Sequence, residues 1–233
     1  IPDGVYEAEG WVDSDAVDTF DISVKVKVKI EGDKAFVDFS GSGPQGAGGL
    51  NGTFATSMAA GVIPFLQYMD SDIPHNDGCI GHIEVHAPEG TVCNASFPAS
   101  TSAATIVPTD MMIDVIHMAM ATAVPDLVAA GSVRCQIVPQ FSGQEDANGE
   151  EWGVMLFNNS GGQGGNREVD GWPLWESTSA SGGLKIQSVE QLELLYPIRV
   201  DELEVEPDSM GMGASLGGPG TRLVVESTGG PIE

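Results

Sequence analysis

A cluster of histidines and acidic residues holds the densest set of potential metal ligands in the chain: His75-x-Asp77-x-Cys79, followed by His82-x-Glu84-x-His86. Imidazole, thiolate and carboxylate groups bind zinc, and alternate residues of a strand share one face. The residues between them, Ile83 and Val85, are apolar and are therefore expected to face the core. The polar side chains then face solvent, so we expect a surface or hydrogen-bonding role and no tightly bound zinc.

Four polar residues beside turn-forming segments are candidates for contact with a small-molecule substrate: Asn51, Asn76, Asn158 and Asp208. Amide and carboxylate groups can orient a ligand by hydrogen bonds. The same residue types are common turn formers because they bond to their own backbone. Asp208 could also orient a loop at a cleft between subunits. Serine and histidine residues are too scattered to indicate a nucleophile and base, so we assign no catalytic residue.

Three glycine-rich segments are the unifying feature of the sequence: loop A (residues 40–51), loop B (residues 158–166) and loop C (residues 208–220). Loop C has five glycines and one proline among thirteen residues, which argues against a helix or a central strand. Such loops on a rigid sheet can present backbone N–H groups to a ligand. Glycines that only form tight turns would explain any one of these loops, whereas three such loops in one chain favour a role in ligand binding. Loop A lacks the lysine that a P-loop requires.

Period-two alternation predicts that strands dominate the fold. Apolar residues alternate with serine and lysine over residues 22–30, and Gly32-Asp33 predicts a hairpin turn before a returning strand at residues 35–39. The lysines of the first strand are read as a solvated face rather than a basic patch. Further strands are predicted at residues 82–87, 133–140, 152–157, 198–206 and 223–225.

Two segments have helical patterns. Residues 54–68 include Pro64 as a kink or break, and residues 108–123 have Thr109 or Asp110 as the expected cap. Residues 72–81 are predicted to be a turn-rich connector, with Cys79 a small buried residue beside it. The expected class is α+β, with strand-rich mixed or antiparallel sheets, two or three helices and long glycine-rich loops. Residues 1–233 are expected to form one region, with lobes at 1–130 and 131–233.

Charge is the strongest signal in the composition. The chain has 34 acidic and 9 basic residues, a formal net charge of −25. Nucleic acids and anionic membrane surfaces need cationic partners, so we expect neither as a ligand. Two explanations of the negative charge remain open: a solubilising surface and docking to a basic partner chain. The three cysteines, Cys79, Cys93 and Cys135, lack a C-x-x-C spacing, which favours buried thiols and a cytoplasmic location. The start at Ile1 suggests a processed piece, a split subunit or a fragment.

Seven collinear motifs resemble the hydantoinase B family: Ile1-Pro-Asp-Gly-Val-Tyr-Glu-Ala-Glu, Val37-Asp-Phe-Ser-Gly-Ser-Gly-Pro-Gln, Asp72-Ile-Pro-His-Asn-Asp-Gly-Cys, Pro88-Glu-Gly, Asp170-Gly-Trp-Pro, Tyr196-Pro-Ile-Arg and Pro207-Asp-Ser. That family includes subunits of acetone and acetophenone carboxylases, 5-oxoprolinases and cyclic-amide hydrolases. The chain is similar to the back half of such a subunit. It departs from the family at Ala214-Ser-Leu216, where an arginine is usual, and at Gln187-Ser-Val-Glu190.

The resemblance implies a division of labour among chains. An ATP-using hydantoinase A-like partner would phosphorylate the enol or amide oxygen of the substrate with Mg²⁺. A chain with the metal-binding front half of hydantoinase B would hold zinc or another divalent transition metal, while this chain would bind no cofactor. The complex would carboxylate a ketone or hydrolyse a cyclic amide, with this chain shaping the substrate cavity and the subunit interface.

Two other classes of protein remain open from the sequence. The chain could be a structural assembly module that does not touch the substrate. Alternatively, Trp152, Trp172 and Trp175 could form a carbohydrate-binding surface on a β-domain.

Overall fold

The computed structural model describes residues 1–15, 17–132, 138–144, 149–158, 160–175, 178–180 and 185–231. The elements follow in chain order: β1 (Gly4–Ser14), β2 (Phe20–Glu31), β3 (Lys34–Asp38), α1 (Phe54–Tyr68), α2 (Asp77–Ile80), β4 (Ile83–His86), α3 (Pro108–Met120), β5 (Gln140–Gln144), β6 (Glu151–Met155), a 3₁₀ turn (Thr178–Ala180), α4 (Val189–Leu195), β7 (Ile198–Val205) and β8 (Thr221–Ser227).

The largest sheet has the strand order β1-β2-β3-β4, with β4 parallel to β3 and the other neighbours antiparallel. The predicted alternation in β2 is confirmed, because the inner face buries Ile22, Val24, Val26, Val28 and Ile30. On the outer face each lysine lies close to an acidic residue, which belongs to a neighbouring strand or, for Lys29, to β2 itself. The pairs are Lys25–Glu9, Lys27–Glu7, Lys29–Glu31 and Lys34–Glu84. The lysine stripe is therefore a neutralised, solvated sheet face.

Helices α1 and α3 cover the inner face of this sheet and complete the main core. The helix predicted at residues 54–68 is confirmed as α1. It begins after a reciprocal capping box of Thr53 with Thr56 and continues without a break through the buried Pro64. The predicted cap of α3 was wrong. Pro108 occupies the first helical turn, so a cap must precede it, and the cap position is Val107 without a side-chain hydrogen bond. The helix ends at Met120 rather than at residue 123.

In the second half of the chain, the described residues form two hairpins, β5–β6 and β7–β8. Their smaller core buries Val154, Leu156, Leu192 and Ile198. The predicted strands at residues 152–157, 198–206 and 223–225 correspond to β6, β7 and β8. Most of the strand predicted at residues 133–140 lies outside the described residues.

The α+β class is confirmed, and the described residues form four α-helices where two or three were expected. The two additional helices are short. α2 lies within the predicted connector, and α4 follows Ser188, whose hydroxyl accepts a hydrogen bond from the backbone N–H of Gln191. In the part of the chain that the structure describes, no helix is both long and apolar enough to cross a bilayer.

Candidate functional site

The histidine-rich strand β4 turns its polar residues away from the core, as predicted. Ile83 is buried, whereas His82, Glu84 and His86 are exposed. His82 lies 3.1 Å from the backbone oxygen of Asp33 through Nδ1. Among the described residues, no group of three histidine, cysteine, aspartate or glutamate side chains is placed to hold a metal ion.

The two described cysteines differ in burial. The prediction that Cys79 is a small buried residue needs correction, because its thiol lies on α2, is partly exposed and donates to Pro74 O at 3.3 Å. The four-residue helix is too short to cover it. Cys93 is buried in the main core, and burial raises the pKa of its thiol to about 11. Cys135 lies outside the described residues.

Asn51 fixes loop A from within. Its Nδ2 group donates to the backbone oxygens of Gly46, Gly48 and Ser100 at 3.1, 2.9 and 2.9 Å, and its Oδ1 accepts from Gly46 N–H at 2.8 Å. The side chain is 1% exposed. These bonds satisfy the full capacity of the amide nitrogen, so they account for Asn51 as a loop former. Its contact with a substrate stays a prediction.

A second polar group, Asp15, also holds loop A. Its carboxylate accepts the N–H groups of Val17, Asp18, Thr19 and, at 2.9 Å, Gly48. These backbone donors stabilise the charged form, so they hold the pKa of Asp15 well below its ordinary value. Loop A is thus tied to the β1–β2 turn by a buried carboxylate that the sequence did not single out.

The other three candidates lie far apart in the sequence, and no contact between them is observed among the described residues. Asn76 caps α2 by accepting from Gly78 N–H at 2.9 Å. Asn158 is completely buried and donates to Gln187 O at 2.9 Å. Asp208 is exposed at the start of loop C with a φ of 57°, a left-handed conformation that aspartate tolerates better than most residues. These observations do not test whether Asn76, Asn158 or Asp208 contacts a substrate, and that stays a prediction.

Loops B and C pack directly against each other through their backbones. Gly218 N–H donates to Gln163 O at 2.8 Å, and Gln163 N–H donates to Trp172 O at 2.9 Å. The backbones of the two loops lie too close together for a side chain at this point, because a Cβ on Gly162 would lie 1.6 Å from Gly218 O. The glycines here give backbone segments room to pass, and they hold the loops in a defined shape.

Two adjoining clefts result from this packing. The first, the loop cleft, has a volume of about 450 Å³ and is lined by glycines of loops B and C together with Ala130, Ser132 and Ser215. The second, the helix cleft, has a volume of about 260 Å³ and is lined by Gln67 of α1, Asp114 and His117 of α3, Gln163 and Asn166 of loop B, and Trp175. Ala130, Ser132 and Gln163 line both clefts, so the two clefts are neighbours, and together they are the candidate site.

His117 is a titratable residue that lines the helix cleft and contacts Tyr68. Its Nδ1 lies 2.6 Å from the hydroxyl oxygen of Tyr68, and the two rings meet edge to face. Burial lowers the pKa of His117 to about 4, so the imidazole is neutral at pH 7. Burial also raises the pKa of Tyr68, so its hydroxyl keeps its proton.

Sequence reasoning missed this cleft. Met111, Met112 and Met120 of α3 are buried in the core, whereas Met118 is exposed. The overlooked signal is polar: Asp114 and His117 stand three residues apart in the apolar stretch that follows the first turn of α3, which places them one above the other on one face. A polar side chain buried on an apolar helix face is expected either to form a hydrogen bond within the protein or to contribute to a binding site.

The family model for hydantoinase B/oxoprolinase matches residues 1–232. The chain belongs to the hydantoinase B/oxoprolinase family, as its motifs indicated.

Two curated relatives are subunits of larger enzymes. The chain is 28% identical to the beta subunit of caprolactamase from Pseudomonas jessenii, over 97% of this chain and 39% of the relative. It is 32% identical to the B subunit of a putative D-/L-hydantoinase from Pseudomonas sp. (strain NS671), over 95% of this chain and 38% of the relative. The chain therefore spans about two fifths of the length of these relatives.

Solved structures show the same architecture. The crystal structure of ATP-dependent caprolactamase from Pseudomonas jessenii superposes with a TM-score of 0.85, over 97% of this chain and 39% of that chain. Nucleotide-free acetone carboxylase superposes with a TM-score of 0.82 at 18% identity, over 99% of this chain and 33% of that chain. At that identity the second likeness concerns the fold.

Proposed function

We propose that this chain is part of a subunit of an ATP-dependent, hetero-oligomeric enzyme of the hydantoinase B type. The complex carboxylates a ketone or hydrolyses a cyclic amide, and this chain shapes part of the substrate cavity and the subunit interface. The observation that carries the proposal is the family match across residues 1–232. The caprolactamase structure, described as ATP-dependent, gives it further support.

The chemistry that this chain does not fit is assigned to its partners. A hydantoinase A-like subunit uses ATP and Mg²⁺, and the front half of hydantoinase B holds zinc or another divalent transition metal. Partner chains in general are supported by the relatives, which are named as subunits of caprolactamase and of a putative hydantoinase. The cytoplasm is the proposed compartment for a nucleotide-dependent complex of this kind.

The helix cleft and the loop cleft are the proposed contribution to the substrate cavity. They are concave, adjoin each other and combine backbone groups with a few polar side chains, as small-molecule sites do. Loops B and C supply a rigid wall because their backbones bond to each other. Rigid positioning is what a substrate cavity needs from a subunit that holds no cofactor.

Exposed apolar side chains support the alternative of an assembly module. Leu194 and Leu195 of α4 are 84% and 69% exposed. The carbohydrate-binding alternative has less support, because the three tryptophans lie in different surroundings. Trp152 packs in the smaller core, Trp175 lines the helix cleft and Trp172 is 69% exposed. Stacking of a sugar by several rings would need them on one surface.

Kinetics of the assembled complex separate a cavity subunit from a scaffold. Gln67→Ala removes an exposed side chain at the mouth of the helix cleft and should raise KM or lower kcat by about tenfold for the accepted substrate. Glu84→Ala, on the outer face of the sheet, is the matched control and should leave turnover unchanged. Wild-type kinetics in a fully assembled Gln67→Ala complex would favour the scaffold instead.

A further inference from the structure

A groove between α4 and β6 combines exposed leucines with glutamates. This α4 groove has a volume of about 580 Å³ and shares no lining residue with the loop cleft or the helix cleft. We propose that it is the docking site for a basic segment of a partner chain. The docked segment places an apolar side chain beside Leu194 and Leu195, and lysine or arginine side chains against Glu151 and Glu193. The inference deepens the proposed function and rests on it for the existence of partner chains.

The apolar part of the groove is formed by side chains that are open to solvent. Leu194 and Leu195 are 84% and 69% exposed, and both line the groove. One exposed leucine is ordinary on a protein surface, whereas two adjacent ones beside a concave surface mark an interaction site. Trp152 and Tyr196 also line the groove, with ring centroids 6.4 Å apart, and both residue types are enriched at protein interfaces. The groove thus offers apolar surface that a docked side chain would bury.

The fold holds this groove in one shape. Leu192 of α4 is buried in the smaller core, which fixes the helix against the hairpins. Ser188 caps the start of the helix, and Glu193 accepts the N–H group of Val200 through Oε1 at 2.9 Å. Because α4 is anchored at its start, on its buried face and to β7, its leucines are presented to a partner at little cost in ordering.

The charge of the groove favours a basic partner. Glu151 and Glu193 are exposed, and neither belongs to an ion pair among the described residues. The described lining residues include no lysine or arginine. Seven of the nine basic residues of the chain pair with carboxylates that do not line the groove: Lys25, Lys27, Lys29, Lys34, Arg167, Arg199 and Arg222. A partner that brings its own cations therefore complements this surface.

Other occupants fit the groove less well. A symmetric contact between two copies of this chain would bring the same patch from each copy together, so that Glu151 and Glu193 would meet like charges. Nucleic acids and anionic lipid surfaces would be repelled for the same reason. The net charge of −25 adds a long-range attraction for a basic partner. A basic protein segment with an apolar side chain is thus the occupant that the surface favours.

The first test removes the apolar contacts in the assembled complex, prepared from the tagged chain and the companion chains that co-purify with it. Leu194→Ser/Leu195→Ser should weaken assembly at least about tenfold, as followed by mass photometry on dilution. Val5→Ser is the control, because Val5 is 58% exposed on the outer face of the main sheet, and it should assemble as the wild type does. Wild-type assembly by the leucine variant, at an unchanged melting temperature, would overturn the inference.

The second test reverses one charge of the groove. Glu151→Lys should weaken assembly by about tenfold at low salt, because it sets a cation against the basic segment, and the loss should shrink as ionic strength rises. Glu204→Lys is the matched control, because it makes the same change in net charge at an exposed glutamate of β7 outside the groove. Equal losses in the two variants would contradict a charge contact located in the groove.

The occupant itself is identified by cross-linking. The photoreactive amino acid p-benzoylphenylalanine replaces Leu194 in the assembled complex, and the cross-linked peptides are sequenced by mass spectrometry after irradiation. We expect an adduct with a partner chain, at a segment that contains lysine or arginine. An adduct with a second copy of this chain, with lipid or with a segment that has no basic residue would overturn the inference.

This inference and the proposed function fail in different ways. A complex whose assembly depends on the leucines and on Glu151, but which shows no ATP-dependent turnover, refutes the proposed function alone. A complex that turns over a ketone or a cyclic amide with ATP, and assembles normally with Leu194→Ser/Leu195→Ser, refutes this inference alone.

Discussion

The main sheet with its two helices and the paired glycine loops are held together in different ways. In the first region, side chains of β2, α1 and α3 interlock in one core, with Phe39, Met112 and Ile116 fully buried. In the second, loops B and C are joined by backbone hydrogen bonds and by contacts too close for a Cβ atom. The first region is stabilised by large side chains that fill its core. The second requires glycines, because its backbones lie too close together for side chains. Substitutions should therefore have opposite signatures in the two regions.

The largest expected effect is a cavity in the main core. Phe39→Ala removes a fully buried ring and should destabilise the protein by about 3–5 kcal/mol, through lost apolar burial and an unfilled cavity. The free energy of unfolding is measured by urea titration. Leu194→Ala, at a side chain that is 84% exposed, should stay within about 0.5 kcal/mol of the wild type. A loss at Leu194 as large as that at Phe39 would show that burial has been misjudged.

A smaller effect is expected from adding one methyl group between the loops. Gly162→Ala places a Cβ atom against Gly218 O and should destabilise the protein by about 1–3 kcal/mol. Gly211→Ala is the matched control in loop C, because no atom lies within 4 Å of its new Cβ. Its effect should be near zero or slightly stabilising. Similar stability of the two variants would mean that loops B and C do not pack as described.

Acid should expose the contribution of Asp15 to loop A. The folded-state pKa of Asp15 lies below its unfolded value, so its stabilising effect is present above about pH 4 and is lost as pH falls further. Asp15→Asn should lower the melting temperature at pH 7 and should flatten its dependence on pH below 4. If the melting temperatures of the wild type and of Asp15→Asn changed equally with pH across that range, the result would argue against a charged Asp15 in the folded state.

Periodicity predicted the first region well because side-chain burial repeats every two residues in a strand. The hairpin turn at Gly32-Asp33 and the cap at Thr53 each have a local chemical signal as well. The cap of α3 was placed wrongly because Pro108 shifts the helix start to a position without a capping side chain. Helix α4 was missed, although Ser188 followed by Gln191 is a local capping signal.

The candidate site was less accessible from the sequence. Composition indicated that the glycine loops matter, but it could not show that Gly162 and Gly218 are required because two backbones cross. The pairing of Tyr68 with His117 joins residues 49 positions apart through the packing of α1 on α3. Such contacts arise from tertiary structure, and no local pattern encodes them.

The most direct test of the account is substrate-dependent ADP formation by the complex that co-purifies with the tagged chain. With neutral ketones and cyclic amides as substrates, we expect turnover that requires ATP, requires the partner chains and is weakened by Gln67→Ala. Turnover by this chain without nucleotide and without any companion polypeptide would contradict the proposed role as a cavity-forming part of a larger enzyme.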